Sequence, residues 1–266
     1  MRVQSFIECS NTSHKGKGSQ KRSNMLIFVM IFGVFAIYTA SSFSSYAQMF
    51  SVGDQTDRVV RPSSNTLMIG LAPMDFSWRG DGSNFGVPLD YNDLMFRATL
   101  ESPSLNVHLA YGKNMGTNKI SAFNIGATVS NKIALSRGAK TMVYVPVRLI
   151  TDWRTVRNTT RGNSNDEFQQ SSFMIGSGIG TLIRVNQKQS FDLSANANYG
   201  YTARSFGAEG GQTVLMDIKA RYLIDNLSKS LGLSFGYDYT FQDYYIDNQQ
   251  FEYRLTGHSI LVGIRF

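Results

Sequence analysis

Charge recurs on alternate positions along much of this 266-residue chain. Arg97 and Glu101 share one register, as do Arg148, Asp152 and Arg154, and Asp217, Lys219 and Arg221; Arg184, Asp192, Asp238 and Arg265 stand singly in similar settings. In an extended chain, residues two apart project from one face. These side chains therefore line up as polar stripes of both signs. Buried charges need partners or water, and interleaved signs supply ion pairs, so the pattern suits a wet, internally paired interior or a narrow polar channel. Patterns for catalysis are weaker. The histidines are His14, His108 and His258; His108 falls in a polar register and His258 in an apolar one, and neither stands beside paired carboxylates as general acid–base or nucleophilic hydrolysis requires. Asp243, Asp247 and Glu252 cluster near one loop and could hold a cation, but acidic loop tips are usually solvated. No phosphate-cradling loop, metal-ligand spacing or nucleic-acid motif stands out. We expect no catalytic residue, no metal and no cofactor.

The first 47 residues read as an export signal. They carry Arg2, Lys15, Lys17, Lys21 and Arg22 against Glu8, a net +4 of the chain's +7, so the basic pI gives little support for a nucleic-acid partner. Met25 to Ala40 is a continuous apolar run, shorter than the ~20 residues of a spanning helix. Ser45-Tyr46-Ala47 offers small residues where a signal peptidase inspects them, which places cleavage between Ala47 and Gln48. An uncleaved N-terminal anchor is the alternative. Gln48 stands where a lipoprotein would need cysteine. Cys9, the one cysteine, precedes the apolar run, so a processed chain has no thiol, no disulfide and no thiolate metal site. Residues 48–64 lack sustained alternation and read as a periplasmic lead-in or a segment tucked into a barrel mouth.

From residue 65 onward the hydrophobic period is two, interrupted by turn signals. Leu67, Ile69 and Leu71 share a face, with Pro73 predicting a bulge or an early strand end. Leu94, Phe96, Ala98 and Leu100 follow, then Leu105, Val107, Leu109 and Tyr111. The rhythm continues through Phe123 to Leu135, Val143 to Trp153, Phe173 to Val185, Phe191 to Tyr201, Val214 to Ile224, Leu231 to Phe241 and the final stretch. About ten strands result. Short turns at 102–103, 136–140, 186–189 and 225–229 alternate with long polar loops at 80–90, 113–119, 155–167, 204–211 and 242–249. Gly176, Gly178 and Gly180 share the polar face, either clearing a ligand or the N-terminal segment, or relieving sheet curvature, which we favour.

The final stretch places Ile260, Val262, Ile264 and the terminal Phe266 on one face. It resembles the terminal strand of bacterial outer-membrane β-barrels, which ends in Phe and is read by the barrel-assembly machinery; His258 departs from the pattern. The resemblance implies an all-β, transmembrane, antiparallel up-and-down β-barrel of about ten strands over residues 65–266, in a Gram-negative cell outer membrane, with short periplasmic turns and long external loops. A secreted sandwich or lipocalin keeps its apolar face inside, and alternation alone does not say which face that is. Tyr199, Tyr201, Tyr237, Tyr239, Phe241 and Trp153 lie near loop-side strand ends on the apolar face, where an interfacial girdle belongs, and the opposite face is too charged for a dry core. We read Arg97, Glu101, Arg148, Asp152, Arg184, Asp192, Asp217, Lys219, Arg221 and Asp238 as a lumen polar network.

Barrels of about eight strands are filled by their own side chains and porin-like channels arise near 16, so a plugged lumen is expected. The function expected is a non-catalytic structural or interaction barrel whose external loops, such as 158–166, meet partners or lipopolysaccharide. The alternative is a narrow channel taking up a small solute. Omptin-like proteases and outer-membrane lipid hydrolases share the architecture, but their rim His–Asp or Ser–His arrangements have no counterpart among His108 and His258.

Overall fold

The structure, a computed structural model, describes residues 64–79, 89–114, 119–158, 167–204, 210–228, 231–246 and 252–266. The cleavage position between Ala47 and Gln48, Asp247, residues 159–166 and nearly all of the lead-in fall outside these. The described residues form ten strands: β1 (Thr66–Trp78), β2 (Tyr91–Glu101), β3 (Leu105–Lys113), β4 (Ile120–Arg137), β5 (Thr141–Asn158), β6 (Glu167–Arg184), β7 (Gln189–Arg204), β8 (Gly210–Ser228), β9 (Leu231–Ile246) and β10 (Tyr253–Arg265). Each strand pairs antiparallel with its chain neighbours, and β1 pairs with β10, closing the sheet into a ring. Closure removes the free edges that would otherwise template aggregation. At the seam the Asn65 N–H donates to Phe266 O and the Phe266 N–H to Asn65 O, both at 2.9 Å.

One end of the barrel carries both ends of the described ring and the short connections; the other carries the long ones. We call these the terminal end and the loop end. Over the middle of the wall the apolar face points outward. Leu67, Ile69 and Leu71 on β1, Phe173, Ile175 and Ile179 on β6, and Ile260, Val262 and Ile264 on β10 are all about half exposed, whereas Arg148, Asp217 and Asp238 are buried within the ring. This is the reverse of a soluble barrel, so the outward belt is the surface that a lipid bilayer would cover.

Pro73 produces neither a bulge nor an early end. β1 runs on to Trp78, and its register against β10 is the same before Pro73 (Leu71↔Ile260) as after it (Met74↔Gly257). Pro73 points outward and still pairs with Leu94 on β2. The ladder toward β10 lapses only at Ala72 and Pro73. Irregularities lie elsewhere, near terminal-end turns: the register shifts between Ala134 and Ser136 and between Ile224 and Ser228. At the second, Asn226 adopts a φ of 53°, a left-handed conformation that Asn tolerates better than branched residues.

The strands are longer than the alternation suggested, and at the loop end the polarity reverses. β4, β5 and β6 each have 18 residues, against the about 9–11 that cross a bilayer. The surplus turns its apolar residues inward. Phe76, Tyr91, Met95, Ile120, Val156, Phe168, Tyr244, Ile246, Tyr253 and Leu255 form one buried cluster inside the ring. Phe76 stacks on Tyr253 with centroids 4.6 Å apart, and Phe168 packs against Phe76, Tyr244 and Tyr253 at 4.9, 5.3 and 4.7 Å. Outside this level the wall is polar, with Asp243 and Arg254 joined by two hydrogen bonds of 2.7 and 2.9 Å. The expectation of a wet lumen along the whole axis is thus corrected. Beyond the apolar belt the barrel is built like a soluble protein, with a dry interior that stabilises by roughly 1.5–3 kcal/mol per large side chain.

Candidate functional site in the barrel lumen

Below the aromatic cluster the interior is polar, and its charges pair across the open space as well as along the wall. Arg221 on β8 donates from Nη2 to Glu101 Oε1 on β2 at 2.7 Å and from Nε to Oε2 at 3.2 Å. Its Nη1 donates to Asp238 on the adjacent β9. Gly236 makes room for this: an added Cβ there would stand 3.0 Å from Arg221 Nη1. Asp238, 1 % exposed, also faces Arg97 Nη2 at 3.3 Å, and Arg97 Nη1 donates to Ser259 Oγ at 3.0 Å.

A second group centres on Asp217. Arg148 reaches it from β5, and Asn196 and Asn198 on β7 donate to it at 2.9 and 3.2 Å. A third joins His108, Asn124 and Asp152: His108 Nε2 and Asn124 Oδ1 are 2.8 Å apart, and Asn124 Nδ2 donates to Asp152 Oδ1 at 2.6 Å. A fourth lies nearer the terminal end, where Lys132 Nζ donates to Asp192 Oδ2 at 2.7 Å and the Tyr144 hydroxyl donates to Asp192 Oδ1. Arg265 Nε lies 3.1 Å from Asp225 Oδ1 at that rim.

Of the ten residues read as a lumen network, Arg97, Glu101, Arg221 and Asp238 come together as one group and Arg148 with Asp217 as another. Asp152 and Asp192 belong to the other two groups. Lys219 lies opposite Asp238 in the β8–β9 ladder but makes no ion pair or hydrogen bond among the described residues. Arg184 stands at the terminal end of β6, where its backbone N–H donates to Lys140 O at 2.7 Å; its side chain enters none of these ion pairs. Sequence reasoning placed Tyr144, Asn196 and Asn198 on the polar face without counting them in the network, and passed over Lys132 and Asn124. Their signal was present, since Asn196 and Asn198 alternate with outward Ala195 and Ala197.

The glycine run has a local purpose. A Cβ on Gly180 would collide with the Tyr144 ring, and Cβ atoms on Gly176 and Gly178 would collide with Asn198 and Asn196 and with the β7 backbone. The stripe lets polar neighbours lie flat against the wall. His258 points outward, hydrogen-bonded through Nδ1 to the Tyr237 hydroxyl at 2.8 Å and packed on Tyr239. His108 lies inside, beneath the aromatic cluster. Asp243, considered above as a cation ligand, is held by Arg254, and no group of three or more candidate metal ligands occurs among the described residues.

No family model matches the chain, and no curated protein matches it in sequence. Among solved structures, the chain is similar to the outer membrane protease OmpT of Escherichia coli, with 7% identity over 78% of this chain and 98% of that one, at a TM-score of 0.45. It is also similar to Neisserial surface protein A, with 12% identity over 76% and 95% of the two chains and a TM-score of 0.30. A third likeness is Ail, the attachment invasion locus protein of Yersinia pestis, with 11% identity over 77% and 100% and a TM-score of 0.23. The fold of this chain rests on its own closed ladder of ten strands.

Among the described residues, two spaces open in the polar lumen. One, of about 150 Å3, opens among Thr66, Glu101, Lys132, Tyr144, Asp192 and Arg221 toward the terminal end. The other, of about 100 Å3, lies directly under the aromatic cluster. Asn106, Thr128, Arg148 and Lys219 border both.

Proposed function

We propose that the protein is a closed, non-catalytic barrel of the bacterial outer membrane whose work is done at its loop end. The observation that carries this is the double closure of the lumen. The aromatic cluster of Phe76, Phe168, Tyr244 and Tyr253 fills the loop end, and Arg221–Glu101 bridges the interior from β8 to β2. Together they leave small chambers where a conducting pore needs a continuous aqueous path. The outward apolar belt supports placement in a bilayer, and the charge-paired interior supports a structural lumen. His108 is shut inside under the cluster and His258 faces lipid, so neither reaches a substrate at the loop-end rim. In this reading the long connections face the cell exterior and meet lipopolysaccharide or a macromolecular partner, while the Phe266 strand is read during assembly.

Planar-bilayer recording of the purified, refolded barrel tests the reading. It predicts no stepwise conductance for the native protein, and steps once Glu101→Ala and Phe168→Ala open both closures. Regular steps from the unmutated barrel would instead favour the narrow solute channel.

A further inference from the structure

The chamber under the aromatic cluster is lined by more fixed positive charge than its carboxylates offset. Arg97, Arg148, Arg154 and Lys219 border it, against Asp152 and Asp217. Arg148 is matched by Asp217, and Arg97 by Asp238 on the lumen face of β9. With Asp152 set against Arg154, the four cations outnumber these three carboxylates by one. Arg154 is 6 % exposed; its Nη2 lies a loose 3.7 Å from Asp152 Oδ2, while its Nε and Nη1 make no hydrogen bond. Lys219 makes no ion pair within 4 Å, although the carboxylates of Asp238 and Asp217 act on it electrostatically.

A buried guanidinium with two unmade hydrogen bonds is costly, and native structures rarely leave one so. Its planar donors suit an oxyanion. The chamber of about 100 Å3 has room for several waters or for one small anion. The apolar cover of Met74, Met95, Ile150 and Leu255 keeps bulk water from screening the charge on that side.

We propose that this chamber is a binding site for one small oxyanion, a carboxylate or phosphate-type ion, held by Arg154 and Lys219. The chamber lies inside the ring between the aromatic cluster and the Arg221–Glu101 bridge, away from the outward apolar belt that lipid would cover, so the ligand is a free ion. The site depends on the chamber walls alone and holds whether or not the barrel conducts.

The test is isothermal titration calorimetry on the refolded full barrel in chloride-free buffer, with inorganic phosphate and acetate as probes. Saturable one-to-one binding of either is expected. Arg154→Gln and Lys219→Met should each weaken it at least tenfold, while Arg184→Gln, a lumen arginine outside the chamber, leaves it unchanged. Heat-modifiable gel migration establishes that each variant is folded. If Arg154→Gln fails to fold, folded Lys219→Met decides the matter. No saturable heat with either probe, or undiminished affinity in a folded Arg154→Gln or Lys219→Met barrel, overturns the proposal.

Discussion

Arg221 and Glu101 sit on strands four places apart around the ring, yet Arg221 Nη2 and Glu101 Oε1 are 2.7 Å apart. This pair spans the lumen rather than bracing adjacent strands. Removing one member of a buried ion pair strands the other, at about 3–5 kcal/mol. Arg221→Met should therefore destabilise the barrel by about that much, because Glu101 loses its cation and Asp238 is left with Arg97 alone. Adding Glu101→Gln should recover part of the loss. Urea unfolding of the single and double variants in lipid vesicles measures this; an additive double variant would show that the two residues do not interact.

Ile218 is 51 % exposed on the outward face of β8, between inward Asp217 and Lys219. Ile218→Arg should cost roughly 2–4 kcal/mol if it lies near the bilayer midplane. Refolding titrations in vesicles read the effect, and a harmless substitution would remove the belt from the membrane.

Phe168 touches three other rings of the loop-end cluster. Phe168→Ala should cost about 3–5 kcal/mol by leaving a cavity in a dry core. Because that core lies beyond the apolar belt, the loss should be the same in thin and thick bilayers, unlike that for Ile218→Arg. A loss that changes with acyl-chain length would place the cluster at membrane depth.

Phe266 is half exposed at the end of the outward row formed by Ile260, Val262 and Ile264. Phe266→Ala should lower the amount of assembled barrel in cells without altering the lumen. Heat-modifiable, protease-resistant protein at normal levels in that mutant would remove Phe266 from the assembly signal.

Asn226 holds a left-handed backbone at the bulge before β9. Asn226→Val should cost about 1–2 kcal/mol, and Asn226→Gly should be nearly neutral. Equal stability of the two in urea titrations would contradict the bulge geometry.

Period-two alternation made the strands, their order and the short–long rhythm of connections legible in the sequence. Leu67, Ile69 and Leu71 set against Met68 and Ala72 are enough for that. The same signal fails at the loop end because alternation fixes which residues share a face and leaves open which face is inside. Val156 fell into a presumed loop at 155–167 and Tyr244 and Ile246 into another at 242–249, and all three are strand residues of the cluster. Pro73 misled in the opposite direction: a proline costs one donor, and β1 keeps its register by letting the ladder to β10 lapse at that point alone. The cross-lumen pairing was beyond sequence reasoning for a geometric reason. Charge alternation places Arg221 and Glu101 on the inner face, but only the closed ring brings β8 opposite β2.

The dry loop-end interior has a consequence for how the barrel tolerates change. The long connections between β1 and β2, β5 and β6, and β9 and β10 start and end on strands that contribute to the buried cluster of Phe76, Phe168, Tyr244 and Tyr253. Peptides grafted between Asn158 and Glu167 would thus be anchored on a rigid platform that neither lipid nor lumen charge helps to hold. Insertions there would leave the register of the wall below untouched, which makes the barrel a scaffold for carrying foreign segments.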